Sequence, residues 1–216
     1  GTLSDHFDIE EGARDKLILS GDLRCADFVG GGMREGMLVV DGSVGHGLAA
    51  DMRRGYIVIH GSAGDYVASG QRGGYVNIEG NVQDYCGAAA PGQRSGMRGG
   101  TLRVAGTAGR FLGQRMRRGS ILVVGDIGAG CGSALIAGTI ICCGSLAPPV
   151  GVGMRRGTIL CLSTSPPPLH VGFTVPEQIR LSYLYVLFDA LRPQLGDLPV
   201  DALARQSMWR SLGDRA

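Results

Sequence analysis

Aromatic residues and long apolar runs are scarce in this sequence. Aromatic residues make up 6% of the 216 residues, which argues against a nucleic-acid module that stacks bases on rings. No apolar run approaches the ~18 residues of a membrane span. The amino-terminal stretch GTLSDHFDIEEGARDK is polar and acidic and has no secretory signal. We therefore expect a cytoplasmic protein with neither nucleic acid nor membrane among its partners.

Metal-binding and catalytic motifs are also missing from the sequence. The six cysteines form no CxxC pair, and the four histidines complete no zinc-finger spacing. No nucleophile elbow, P-loop, Rossmann fingerprint or HExxH occurs. We therefore expect reduced, mostly buried thiols, no catalytic residue, and no metal or cofactor bound by this chain. The 38 glycines lack the G-X-Y period of collagen, so glycine must have another structural role.

The glycines form a repeat. The period is 19 residues, except for 26 between Gly74 and Gly100, and M-R-x-G or a variant of it ends at each repeat glycine. A second glycine follows six residues later in every copy but the last. The seven repeat glycines are Gly36, Gly55, Gly74, Gly100, Gly119, Gly138 and Gly157.

Apolar residues recur at fixed positions within each copy. Ile57 and Ile59, two and four residues after a repeat glycine, exemplify a period of two with β-branched residues, which predicts a short strand. A coil of 19 residues cannot bury its apolar side chains alone, but coils stacked ~4.8 Å apart can. The sequence therefore predicts an all-β fold, a parallel β-helix (solenoid) of about seven 19-residue coils.

Three segments follow from the limits of the repeat. Residues 1–31 are predicted to be an amino-terminal cap with a degenerate first coil at 16–21, and residues 32–164 the β-helix. The insertion Cys86–Gly96 is predicted to bulge as a loop, either as a tolerated surface insertion or as a partner contact. Residues 165–216 are predicted to be a proline linker and a C-terminal α-helix that either caps the solenoid or docks on a partner. The predicted helix carries an apolar stripe of Ile179, Tyr183, Leu184, Leu187, Phe188 and Leu191.

Stacking aligns two columns of polar residues. Twenty of the 21 basic residues are arginine, and stacked guanidiniums require anions from neighbouring carboxylates, a partner subunit or a polyanionic ligand. A second column could hold a metal or act as an acid–base group, but a solvated ion-pair ladder is the favoured interpretation. The arginine column, two residues before the repeat glycines, comprises Arg34, Arg53, Arg72, Arg98, Arg117 and Arg155; the second comprises Asp41, His60 and Glu79.

The repeat resembles a known domain. The run G-x-x-x-x-x-G-x-x-G after M-R-x-G is similar to the glycine-rich right-handed β-helix shared by the C-subunit of formylmethanofuran dehydrogenase and the carboxy-terminal domain of glutamate synthase. The best-matching stretches are MRRGYIVIHGSAGDYV (52–67), GGYVNIEGNVQDYCG (73–87) and MRRGSILVVGDIGAG (116–130). The resemblance extends over roughly Gly30 to Leu162.

The resemblance implies a structural subunit of an enzyme complex. The absence of glutaminase and flavin domains favours the formylmethanofuran side, and the arginine bias favours the gamma subunit of the bacterial formyltransferase/hydrolase complex of methylotrophs. That complex moves a formyl group from formyl-tetrahydromethanopterin to a methanofuran-type carrier and releases formate. The implied partners are amidohydrolase-like and formyltransferase-like subunits, with zinc in a partner. The alternatives are the C-subunit of a tungsten or molybdenum formylmethanofuran dehydrogenase, a glutamate-synthase-like structural domain and, least favoured, a carbohydrate-processing β-helix enzyme.

The resemblance also supplies a candidate ligand for the arginine column. Carriers of the methanofuran type bear glutamate tails, and a line of guanidiniums could guide such a polyanion between distant active sites. The expected contacts of this polyglutamate carrier are Arg34, Arg53, Arg72, Arg98 and Arg117.

Overall fold

The described part of the chain is built on one parallel sheet. The computed structural model describes residues 15–163, 167 and 168, and within them eight strands lie side by side in chain order. The strands are β1 Lys16–Ser20, β2 Met37–Asp41, β3 Tyr56–Ile59, β4 Tyr75–Ile78, β5 Arg98–Val104, β6 Arg118–Val123, β7 Thr139–Cys142 and β8 Thr158–Cys161.

The register of the sheet follows the sequence repeat. Ile57 of β3 pairs with Val76 of β4, one 19-residue period later, and Val76 pairs with Leu102 across the longer period. Equivalent residues therefore stack, and the predicted parallel β-solenoid is confirmed. The sheet has eight strands where about seven coils were predicted, because the degenerate first coil forms β1 and pairs in full with β2.

A second line of contacts runs parallel to the sheet. From Gly36 to Gly119, the residue eight positions after the repeat glycine forms a parallel bridge with its equivalent in the next coil, as Val44 does with Ala63. Side-chain oxygens at the corners accept backbone N–H groups of the next coil: Ser43 Oγ accepts from the Ser62 amide at 3.0 Å, and Asp65 Oδ1 from the Asp84 amide at 2.9 Å. The turns thus satisfy their backbone donors without a helix or a second sheet.

Two glycine positions are dictated by the closeness of the coils. Gly74 has a φ of 80°, and a Cβ there would lie 2.8 Å from the carbonyl oxygen of Gly55. A Cβ on Gly61 would lie 2.5 Å from the carbonyl oxygen of Gly42. The first position therefore needs both the left-handed conformation and the missing side chain, and the second needs only the missing side chain.

The insertion bulges less than predicted. Ala88 and Ala89 at its start and Ser95 at its end are buried, and the exposed part is the tip at Pro91, Gly92 and Arg94. Most of the insertion therefore packs on the solenoid. The predicted carboxy-terminal helix and the first fourteen residues lie outside the described residues, and no helix in the described part of the chain is long and apolar enough to cross a membrane.

Candidate functional site: the arginine column

The solenoid arranges the arginine column in a straight line. From Arg53 onward, the backbone amides of the column donate to the carbonyl three residues before the repeat glycine of the preceding coil, as Arg53 does to Met33 at 2.8 Å and Arg72 to Met52 at 2.7 Å. This contact recurs from coil to coil, so neighbouring Cα atoms follow the coil spacing of ~4.8 Å. The line is interrupted once, at Ile136, before it resumes at Arg155.

Within the described residues, the guanidiniums of this column have no carboxylate counter-ion. Arg34, Arg53, Arg72, Arg117 and Arg155 are exposed, and among residues 15–163 no carboxylate lies within 4.0 Å of any member of the column. The expected pairing with neighbouring carboxylates of the same chain is therefore not found in the described residues.

Arg98 differs from the other members of the column. Its side chain is half-buried, and its Nε donates to Ser95 Oγ at 3.0 Å. Ser95 belongs to the insertion, so the insertion holds this guanidinium against the solenoid. The contact reduces the freedom of Arg98 to reorient towards a ligand, which makes it the most rigid donor of the column.

Repulsion within the column favours the binding of a polyanion. Two unit charges ~4.8 Å apart repel by about 0.9 kcal/mol in water and by about 3.5 kcal/mol at an effective dielectric constant of 20. Flexible side chains reduce this by splaying apart, but a bound row of carboxylates removes it and adds charge-assisted hydrogen bonds. The column is therefore suited to an extended chain of carboxylates.

The second polar column forms the predicted ion-pair ladder. His60 Nδ1 lies 3.0 Å from Glu79 Oε2, and His60 Nε2 lies 3.5 Å from Asp41 Oδ1. The hydrogen bond to Glu79, with the charges of both carboxylates, raises the pKa of His60. All three side chains are exposed, and in the described part of the chain no three metal-ligating side chains are grouped to hold a metal ion.

The thiols of the interior cysteines are unreactive at neutral pH. Burial raises the pKa of Cys131 to about 12, and it raises the pKa of Cys86 further. Both thiols therefore stay protonated at neutral pH and serve as apolar filling, as the sequence predicted. Cys143, expected to point outward and to be exposed, is instead partly buried, and burial raises its pKa to about 11.

An outer aromatic ladder was missed by the sequence analysis. The rings of Tyr66 and Tyr85 stack with centroids 5.0 Å apart, and Tyr85 stacks on Phe111 at 5.2 Å. All three residues have a positive φ and lie eleven residues after a repeat glycine. The recurrence of aromatic residues at the repeat spacing was the signal that could have revealed this ladder.

Comparison with solved structures identifies a similar chain of known assembly. No family model and no curated protein matches the sequence. Among solved structures, the chain is similar to a chain of the formyltransferase/hydrolase complex (FhcABCD) of Methylorubrum extorquens, solved in complex with methylofuran. The TM-score is 0.89 and the identity 36%, over 99% of this chain and 78% of that chain.

Proposed function

The chain belongs to the family of this component of the formyltransferase/hydrolase complex, the formylmethanofuran dehydrogenase C-subunit family. From that premise we propose that it is a non-catalytic scaffold subunit. The complex would move a formyl group from formyl-tetrahydromethanopterin to a methanofuran-type carrier and release formate. The formyl-transfer chemistry and the zinc would reside in amidohydrolase-like and formyltransferase-like partner subunits. The structural neighbour belongs to a multi-subunit complex with methylofuran bound, which supports this assignment.

The observation that carries the scaffold role is the exposed apolar surface at the amino-terminal end of the solenoid. In the described residues β1 pairs only with β2, so its other edge has no strand partner among them. Leu17 and Ile18 on β1 are 50% and 52% exposed, and Phe28 in the same coil is 65% exposed. An open strand edge bordered by large apolar side chains promotes aggregation in an isolated chain. A partner docked on this end removes that liability.

The arginine column supplies the second part of the proposal. A tail of glutamates laid along the solenoid would meet a guanidinium at each coil spacing of ~4.8 Å, and this would hold the carrier near the complex while its formyl end moves between active sites. The absence of counter-ions for the column in the described residues supports this role. Three of the five exposed members are chosen for neutralisation in a test: Arg53, Arg72 and Arg117.

The assembly is tested by native affinity purification of the chain, followed by mass spectrometry and a metal assay. The proposal predicts an amidohydrolase-like subunit, a formyltransferase-like subunit and zinc. Tungsten or molybdenum with iron would assign the chain to the CO2-reducing dehydrogenase instead. A stable lone chain would overturn the scaffold role.

The carrier contact is tested separately on the assembled complex. The triple variant Arg53→Gln, Arg72→Gln, Arg117→Gln should bind a polyglutamate carrier more weakly, with the greatest loss at low salt. The matched control is Arg24→Gln, because the Arg24 guanidinium already pairs with Asp22 at 2.6 Å. Unchanged carrier affinity in an intact complex of the triple variant would refute the contact.

A further inference from the structure

The two halves of the described solenoid carry opposite charge. Residues 15–84 include nine acidic and six basic side chains, a net charge of −3, whereas residues 85–163 include one acidic and nine basic side chains, a net charge of +8. The stretch 85–125 has seven arginines and neither Asp nor Glu. Because the strands lie side by side in chain order, this division of the sequence is also a division in space. The change of sign coincides with the insertion Cys86–Gly96.

The insertion and the coil that follows it bring five arginines together. The Gly96 amide donates to the Arg115 carbonyl at 3.0 Å, which ties the end of the insertion to the next coil. Arg94 and Arg98 each lie two residues from Gly96, and Arg98 is the strand partner of Arg118. We call this group the insertion patch, and its members are Arg94, Arg98, Arg115, Arg117 and Arg118.

The insertion patch is accessible and lacks a carboxylate partner in the described part of the chain. Arg98 is half-buried and the other four members are exposed. None of the five forms an ion pair with a carboxylate of residues 15–163. A cluster of like charges raises the local concentration of counter-ions. Since the arginines are spread over the insertion and two coils, the patch suits an extended anionic chain better than a single small anion.

The backbone beneath the patch is fixed by packing. Ala88, Ala89 and Ser95 of the insertion are buried, and the Arg98 Nε donates to Ser95 Oγ at 3.0 Å. A site whose backbone is already in place loses less conformational freedom when a ligand binds. The insertion therefore presents Arg94 and Arg98 on a rigid support.

The surrounding charge distinguishes this patch from the first part of the arginine column. Exposed charges act over about 10 Å at an ionic strength of 0.1 M, which is about two coil spacings, so the sign of the neighbouring coils affects binding. Arg34, Arg53 and Arg72 lie in the half with a net charge of −3. A polyanion is therefore attracted more strongly to the insertion patch than to these three arginines.

We propose that the insertion patch is the anchoring site of the glutamate tail of the carrier. The proposal rests on the proposed function and deepens it, because it adds Arg94, Arg115 and Arg118 to the arginines of the column. Guanidinium groups bind carboxylates through paired, charge-assisted hydrogen bonds, so a tail of carboxylates is the ligand that this patch fits. The insertion then has a specific role, which is to place Arg94 beside the arginines of the next coil.

The test measures binding of a fluorescently labelled oligoglutamate peptide to the assembled complex by fluorescence anisotropy. The patch variant Arg94→Gln, Arg115→Gln, Arg118→Gln should bind the peptide at least about fivefold more weakly at low salt, because three exposed ion pairs are lost. The matched control removes the same charge from exposed arginines outside the patch and the expected carrier contacts, and it should change the affinity by less than about twofold. The control variant is Arg24→Gln, Arg110→Gln, Arg156→Gln.

The outcomes separate this proposal from the proposed function. Equal losses in the patch and control variants would show an effect of net charge and overturn the patch. Unchanged affinity of the patch variant, with a loss in the Arg53, Arg72 and Arg117 variant, would overturn the patch and leave the carrier contact of the column in place. Unchanged affinity in both would overturn both. Tighter binding of a single-stranded oligonucleotide of equal charge would identify nucleic acid as the occupant and would also overturn the proposal.

Discussion

One pair of substitutions can separate the effect of close contact between coils on stability from the effect of a positive φ. Gly74 and Gly92 both have a φ of 80°, but a Cβ on Gly74 meets the Gly55 carbonyl at 2.8 Å, and a Cβ on Gly92 meets nothing within 4 Å. Gly74→Ala and Gly92→Ala therefore share the cost of a left-handed alanine, roughly 1–2 kcal/mol. Both also gain about 0.4–1 kcal/mol from a less flexible unfolded chain.

The two variants differ in overpacking alone. The Gly55 carbonyl cannot retreat freely, because it accepts the Tyr75 amide at 3.0 Å. A forced shift of this kind costs about 1–3 kcal/mol. Gly74→Ala should therefore lower the free energy of unfolding by about 1–3 kcal/mol more than Gly92→Ala.

Urea unfolding of the full chain measures this difference. With a slope of about 2–3 kcal/mol per molar urea, the Gly74→Ala midpoint should lie about 0.3–1.5 M below that of Gly92→Ala. The slopes should agree with that of the unsubstituted chain, because neither change alters the surface exposed on unfolding. Equal midpoints for the two variants would refute the argument that close stacking, rather than φ alone, demands glycine at the repeat position.

Three further predictions concern the surface. Glu79→Gln should lower the pKa of His60 in an NMR titration, because the hydrogen bond to Glu79 is the main cause of its raised pKa. Any stability from this pair is present below the unfolded pKa of about 6.5 and is lost as the pH rises through the raised folded pKa. A His60 pKa that the substitution leaves unchanged would contradict the ladder. Ile18→Glu should reduce recovery of partner subunits in native purification, while Arg94→Glu at the exposed tip of the insertion should not. Carrier affinity of the unsubstituted complex should fall steeply with salt concentration, and this dependence should be weaker in the triple arginine variant. The same dependence in both complexes would contradict carrier binding by the arginine column.

The repeat made the interior predictable. Once the glycines were aligned, each apolar column could be read from the sequence, and the structure buries Ile57 and Ile59 as expected. The segment Lys16–Gly21 was predicted to be a degenerate first coil, and its residues 16–20 form β1, paired in register with β2. Because the coils stack in register, the fold is defined by the path of one coil and the spacing between coils. A single sequence was therefore sufficient to predict the interior.

The surface was less predictable, since it depends on contacts outside the repeat. Cys143 was expected to be exposed because alternation alone places it outward, but it is partly buried. Gln71, in an otherwise apolar column, is fully buried, and its Nε2 donates to the Gly73 carbonyl at 3.1 Å. The sequence left open which anions would pair with the arginine column, and no carboxylate among the described residues pairs with it.

The central claim is that this chain guides the carrier as a scaffold and takes no part in the chemistry. A comparison of two rates in the assembled complex tests this claim most directly. One is formate release from formyl-tetrahydromethanopterin through a carrier with a full glutamate tail, and the other is hydrolysis of a preformed formylated carrier that lacks the tail. The account predicts that the triple arginine variant slows the first rate and leaves the second unchanged. An equal loss of both rates, or an unchanged first rate, would contradict it.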